Sequence, residues 1–128
     1  MKLDFDCIRD ILLTLEKYPY GEVIQPEQLF EELSNYDPEV ISYSLLKLYE
    51  ADYIEAHIPE IDGVFPEVSQ IFDITFQGHE FLDNIRSNKI WTKTKSILSE
   101  LGSGSIKFAS QIAVCILTEL IKQLAFTP

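Results

Sequence analysis

The stretch Asp37-Pro38-Glu39-Val40-Ile41-Ser42-Tyr43-Ser44-Leu45-Leu46-Lys47-Leu48-Tyr49-Glu50-Ala51-Asp52-Tyr53-Ile54-Glu55-Ala56-His57-Ile58 decides how this chain folds. Its first three residues are a helix start: an aspartate to cap, a proline at the first helical position and a glutamate in the first turn. Ile41, Leu45 and Leu48 then recur at i, i+4 and i+7, so the spacing predicts a helix with one buried stripe. After Asp52 the period changes. Ile54, Ala56 and Ile58 fall on one side of an extended segment, with Glu55 and His57 on the other, as in a half-buried strand.

Two more helices are predicted upstream. Phe5, Ile8, Leu12 and Leu15 share a face over residues 4–17, with Asp4 and Asp6 at the positive N-terminal end. Tyr18-Pro19-Tyr20-Gly21 stops that helix, and Pro26 opens a second one that buries Leu29, Phe30 and Leu33. Downstream, residues 59–66 contain Pro59, Gly63 and Pro66 and read as a loop. Val68, Gln70, Phe72 and Ile74 then alternate onto one face of a second strand, which makes a hairpin with an irregular tip. Three short helices followed by such a hairpin is the order of a winged helix-turn-helix.

Thr75 is placed to cap a further helix that buries Phe81, Leu82 and Ile85. Residues 88–101 are amphipathic: Ile90, Thr94, Ile97, Leu98 and Leu101 form one stripe, and Lys89, Lys93 and Lys95 face water. Gly102-Ser103-Gly104-Ser105 reads as a flexible hinge with an N-cap in Ser105. The last helix runs from about Ile106 to Phe126, roughly 30 Å at the α-helical rise. The expected fold class is α+β, mainly helical: a winged helix-turn-helix over residues 1–86 and a C-terminal pair of helices over residues 87–128.

A chain of 128 residues with 46% hydrophobic and 12% aromatic residues has enough apolar surface for one real core plus an accessory element. Its two cysteines, Cys7 and Cys115, sit in apolar helical patterns and make no disulfide framework, so a reducing, cytoplasmic setting is expected. The N-terminus turns acidic at once and offers no apolar signal region. The net charge of −11 is uneven. Residues 1–85 hold four basic side chains against nineteen carboxylates, a balance of −15, whereas residues 86–128 hold six against two, a balance of +4. Such asymmetry fits two surfaces with different tasks, and it also fits simple solubility.

The run Ile74-Thr75-Phe76-Gln77-Gly78-His79-Glu80-Phe81-Leu82-Asp83-Asn84-Ile85-Arg86, followed by Trp91-Thr92-Lys93-Thr94-Lys95, resembles a family of phage- and prophage-borne proteins of unknown function. The family's pattern is Leu-Thr-x-x-Gly-His-Glu-Phe-Leu-Asp-x-Ile-Arg, then a Trp and a lysine-rich helix. This chain departs from it in Ile74 and in a more acidic wing. The resemblance covers most of the chain. It implies a winged helix carried by a bacterial mobile element, and it brings no catalytic residues.

Candidate chemistry is sparse. His79 and His57 have no second histidine or cysteine at ligand spacing, so no metal and no cofactor are expected, and His79 is expected to pack beneath the hairpin. The carboxylate groups Asp4/Asp6/Asp10, Glu31/Glu32 and Glu60/Asp62 are expected on solvent faces or in a loop rather than in a pocket. No phosphate-binding loop or nucleophile motif is present, and no enzyme is expected. DNA binding is the default for the fold, with the third helix entering the major groove. Its outward positions are Glu39, Ser42, Tyr43, Leu46, Lys47 and Glu50, and no lysine or arginine lies between Lys47 and Arg86. Affinity for a duplex comes from cations that neutralise phosphates, so this charge pattern disfavours nucleic acid.

A protein partner, from host or phage, suits the face of Tyr43, Leu46, Lys47 and Glu50 better. Leu46 and Tyr49 equally fit packing on the hairpin or on the C-terminal helices. An acidic surface of this kind also fits mimicry of nucleic acid toward a basic protein. In the last helix Ile106, Ala109, Ala113, Ile116 and Leu120 follow a 3-4 spacing, and Phe108, Ile112, Cys115 and Ile121 add apolar surface beside it. That helix can fold back on the core or pair with another copy, and pairing into a homo-oligomer through Ile106, Ala109, Ile112, Ala113, Ile116 and Leu120 is the expectation. The longest uncharged run, residues 108–118, falls short of the roughly 20 residues of a membrane span. Lys89, Lys93 and Lys95 are the residues for phosphate contact should the chain act instead as a dimeric DNA-binding regulator.

Overall fold

Helix α1 (Phe5–Leu15) begins where the Asp4 carboxylate accepts a hydrogen bond from the backbone N–H of Cys7, 3.0 Å, in a computed structural model that describes residues 1–102 and 104–125. It ends two residues earlier than the pattern predicts. Lys17 and Tyr18 donate to the carbonyls of Thr14 and Leu15, a tightening that winds the chain off the helix before Pro19. Helix α2 (Pro26–Glu32) follows Gln25, whose backbone N–H donates to the Gln28 side chain at 2.8 Å. Of its expected buried face, Leu29 is fully buried, and Phe30 and Leu33 are half-buried. Helix α3 (Pro38–Glu50) starts at Asp37 as the spacing predicts, but the Asp37 side chain makes no capping bond; its carbonyl accepts from Val40 and Ile41 instead.

Strands β1 (Ile54–His57) and β2 (Gln70–Ile74) pair antiparallel. The register pairs Ile54 with Ile74 and Glu55 with Asp73, then slips to pair Ala56 with Ile71. Phe72 is therefore an extra residue without an opposite number, a β-bulge. The bulge overturns the expected alternation of Val68, Gln70, Phe72 and Ile74: the buried residues are Val68, Ile71 and Ile74, and Phe72 is turned outward. Ile24, between α1 and α2, adds a third rung to the sheet. Its N–H and carbonyl exchange two hydrogen bonds of 2.9 Å with Ile71.

The chain divides into two compact units, Met1–Glu80 and Phe81–Pro128, and the division falls within α4 (Phe76–Ile85). In the first unit α1 packs on α3 and on β2, α2 packs on α3, and α3 leads into β1. Ile8, Ile11 and Leu12 from α1, Ile41, Leu45 and Leu48 from α3, and Ile54 and Ile71 from the sheet are all at most 1% exposed and make its core. Full burial of each such side chain is worth about 1.5–3 kcal/mol.

The turn into β1 and the start of α4 are locked together. Asp52 takes a left-handed φ of 63°, which turns its carbonyl and that of Tyr53 toward Thr75. Thr75 Oγ1 donates to the Asp52 carbonyl at 2.6 Å and accepts from the Gly78 N–H at 3.0 Å, while Thr75 N–H donates to the Tyr53 carbonyl at 3.0 Å. Gly78 permits this approach: a Cβ there would lie 2.1 Å from the Tyr53 carbonyl oxygen.

The second unit is a helical hairpin of α5 (Asn88–Leu101) and α6 (Ile106–Ala125), which pack on each other. Ser87 caps α5 and Gly102 ends it with φ 76°. Ser105 caps α6 by accepting from Phe108 N–H at 3.1 Å, as its position predicts. Ser103 in the expected hinge and Phe126 at the expected helix end lie outside the described residues. In α5 the buried side chains are Ile90, Trp91, Thr94 and Leu98. Trp91 takes the place expected for Ile97 and Leu101, which are 37% and 57% exposed.

Candidate interaction surfaces

A helix that is apolar over more than half of its circumference needs more than one neighbour to cover it. α6 is such a helix, and the hairpin covers only its first half. Ile106, Ala109, Ile112 and Ala113, four of the residues expected to mediate self-association, are buried within the chain. Ile116 and Leu120, the other two, are half-buried, and Val114, Ile121 and Leu124 are 43%, 63% and 81% exposed. The expected 3-4 seam thus divides in two. Its proximal half packs inside the hairpin, where Asn84 Nδ2 also donates to Ser110 Oγ at 3.3 Å, and its distal half is open.

The distal half lines a groove of 390 Å³. Ile97 of α5 and Ile116 and Leu120 of α6 supply its apolar surface; Lys93 stands on the α5 side, and Glu119 on the α6 side. The 20 residues of α6, with a mean hydropathy of 1.3 in their most apolar window, are also long and apolar enough to cross a membrane by length and composition. The charges at Lys107, Glu119 and Lys122 divide that helix, as the sequence pattern indicates.

On α3, Tyr43, Leu46 and Lys47 are half-buried and Glu50 is exposed. The lysine is engaged locally: its Nζ lies 2.8 Å from Glu50 Oε1 and 5.3 Å from the centre of the Tyr43 ring. The hydrogen bond to Glu50 raises the pKa of Lys47. A phosphate would therefore have to compete with Glu50 for this cation. Tyr49, which the spacing also offers as a contact residue, is 42% exposed.

The α5 lysines do not form one uniform row. Lys89 and Lys93 are exposed, but Lys95 is half-buried with its Nζ 5.9 Å from the Trp91 ring centre. The loop between β1 and β2 carries a surface that the pattern did not single out. Ile61, Val64 and Phe65 are 59%, 60% and 89% exposed, interspersed with Glu60, Asp62 and Glu67. Only the exposure of each side chain identifies this surface; a sequence rich in Pro and Gly reads simply as a loop.

His79 is exposed on the first turn of α4, which corrects the expectation that it packs beneath the hairpin; Gly78 takes the close approach there instead. His57 is exposed on β1. Among the described residues no three His, Cys, Asp or Glu side chains converge as metal ligands would. Cys7 is fully buried and Cys115 is exposed. Burial pushes the Cys7 thiol up to about 11, against a lowering by the neighbouring Ser44 hydroxyl, which has no nitrogen or oxygen partner among the described residues. Tyr36 donates to Asp10 Oδ2 at 2.7 Å, and burial together with that carboxylate raises its pKa. Tyr18 donates to Glu32, which, with burial, pushes it up to about 12. The Tyr36–Asp10 bond ties α1 to the α2–α3 connection, the Tyr18–Glu32 bond ties the turn after α1 to α2, and none of these groups lines the α5–α6 groove.

Comparison with known proteins gives a family and no activity. Residues 2–105 match the model of a family described as "Hypothetical protein (DUF2513)". An uncharacterized protein of Haemophilus influenzae (strain Rd) is 34% identical over 124 residues, covering 94% of this chain and 99% of that relative. The fraction of this chain left out is smaller than α6, so the match runs into that helix. No solved structure matches the chain.

Proposed function

The chain belongs to the DUF2513 family of hypothetical proteins, and from its surfaces we propose that it is a non-enzymatic interaction module of a phage or other bacterial mobile element, which self-associates through its C-terminal helices and engages a host or phage protein. The observation that carries this reading is the open distal half of α6, where the half-buried Ile116 and Leu120 line the groove and Ile121 and Leu124 stand exposed beyond it. Contiguous apolar surface of this kind marks a contact site more often than a free surface.

We assign the first unit to the winged-helix class. The order α1, Ile24 rung, α2, α3, β1, β2 supports that assignment, because a winged helix carries a short strand between its first two helices. A protein is favoured over DNA as partner for the α3 face, since its one lysine is paired with Glu50 and the loop tip carries carboxylates beside exposed Phe65. A buried Cys7 and an unpaired Cys115 suit a reducing cytoplasm.

The second reading, a dimeric DNA-binding regulator, draws its support from the same element order and from exposed Lys89 and Lys93 on α5. A mobility-shift titration against pooled phage and host DNA in low salt, repeated at increasing salt, separates the two. The interaction-module reading expects no shift. A shift that weakens steeply with salt, as phosphate neutralisation requires, would replace it with the regulator.

A further inference from the structure

We propose that the α5–α6 groove is one half of a two-fold interface, filled by the same groove of a second copy so that Lys93 of each chain meets Glu119 of the partner subunit. The proposal rests on the self-association reading and specifies its geometry. Three observations carry it.

The groove is self-complementary. One wall, from α5, brings Lys93; the other, from α6, brings Glu119; Ile97, Ile116 and Leu120 lie between them. A two-fold interface demands this property, because every contact from residue i to residue j recurs as j to i. Among the described residues neither Lys93 nor Glu119 makes an ion pair, so both charges are offered at the rim. A partner surface of a single sign would match one of them and repel the other.

The apolar strip also outlasts the groove. Ile121 and Leu124, 63% and 81% exposed, continue along α6 beyond the α5–α6 packing. A second hairpin laid against the first would cover them and produce four packed helices, an arrangement that buries open seams of this kind. A bilayer fits the same strip less well. It would hold Glu119 and Lys122 at the depth of Leu120 and Ile121, where charged side chains are strongly disfavoured.

The test measures oligomeric state by light scattering, and dimer dissociation by sedimentation, for the full chain and for K93E, E119K and the double variant K93E/E119K. All the substitutions are at the groove rim and leave the buried residues of the hairpin intact. Each single reversal places like charges together twice in the dimer and is expected to weaken it about tenfold, with the double reversal returning the original affinity. Dimers that ignore all three variants would overturn the paired geometry and leave self-association standing. A chain that stays monomeric at every concentration, or that is monomeric and floats with anionic phospholipid vesicles, would overturn both.

Discussion

Replacing Gly78 by alanine should unfold the N-terminal unit more readily, although in most helices the same change would stabilise. The new Cβ would sit 2.1 Å from the Tyr53 carbonyl oxygen and 2.7 Å from Ile74 Cγ2. Neither neighbour can rotate away freely, because the first is backbone and the second is a β-branched side chain in β2. Relief requires the first turn of α4 to move off the Asp52–Tyr53 turn by about 1 Å, past the reach of a hydrogen bond. The bonds from Thr75 to the Tyr53 carbonyl (3.0 Å) and to the Asp52 carbonyl (2.6 Å) would then be lost. Two such bonds contribute about 1 kcal/mol each, and residual overpacking adds about 1–3 kcal/mol. The better helix propensity of alanine offsets about 1 kcal/mol. The net loss is about 2–4 kcal/mol, on the order of 10 °C in Tm for a chain of this size. Far-ultraviolet circular dichroism during urea and thermal unfolding reads it. Fluorescence of the single tryptophan, Trp91, reports on α5 in the other unit and is less suitable. A G78A protein as stable as the parent, or more stable by about 1 kcal/mol, would refute the close-approach argument.

Three further outcomes follow from the same contacts. Under native conditions Cys115 should react with a thiol reagent at once and Cys7 only on unfolding, so a native titration counts one thiol per chain; two fast thiols would contradict the burial of Cys7. Stability should fall above about pH 9. Cys7, Tyr18 and Tyr36 all have folded pKa values raised above their unfolded ones, so their contribution is complete below the unfolded pKa and is lost as pH rises, by at most about 1.4 kcal/mol per group per pH unit; urea midpoints unchanged between pH 8 and pH 10.5 would exclude this. Thr75→Ala removes both the cap on Gly78 N–H and the tie to Asp52, and should cost about 1–2 kcal/mol in the same unfolding assay; an unchanged midpoint would show that the cap is dispensable.

Much of the local structure was legible because it has a local cause. The change of period after Asp52 separates α3 from β1, and Thr75 and Ser105 cap helices where their positions predict, although Asp37 starts α3 without a side-chain cap. What escaped depends on residues distant in the chain. Ile24 has no alternating run around it, and its two hydrogen bonds go to Ile71, far downstream. The bulge at Phe72 is a property of the pairing with β1, so counting by twos along β2 alone gives the wrong face. The apolar arc of α6 was visible, but periodicity measures the width of such an arc and not how much of it the chain itself covers. Burial of Ile106, Ala109, Ile112 and Ala113 by the hairpin therefore moves the candidate contact to Ile116, Leu120 and the residues beyond them.

The central claim is that this open distal half of α6 is a contact surface. The molar mass of the full chain in solution, measured by light scattering across a dilution series, tests it most directly. The account predicts twice the 14.7 kDa of one chain at the higher concentrations. A mass of one chain throughout the series would contradict it.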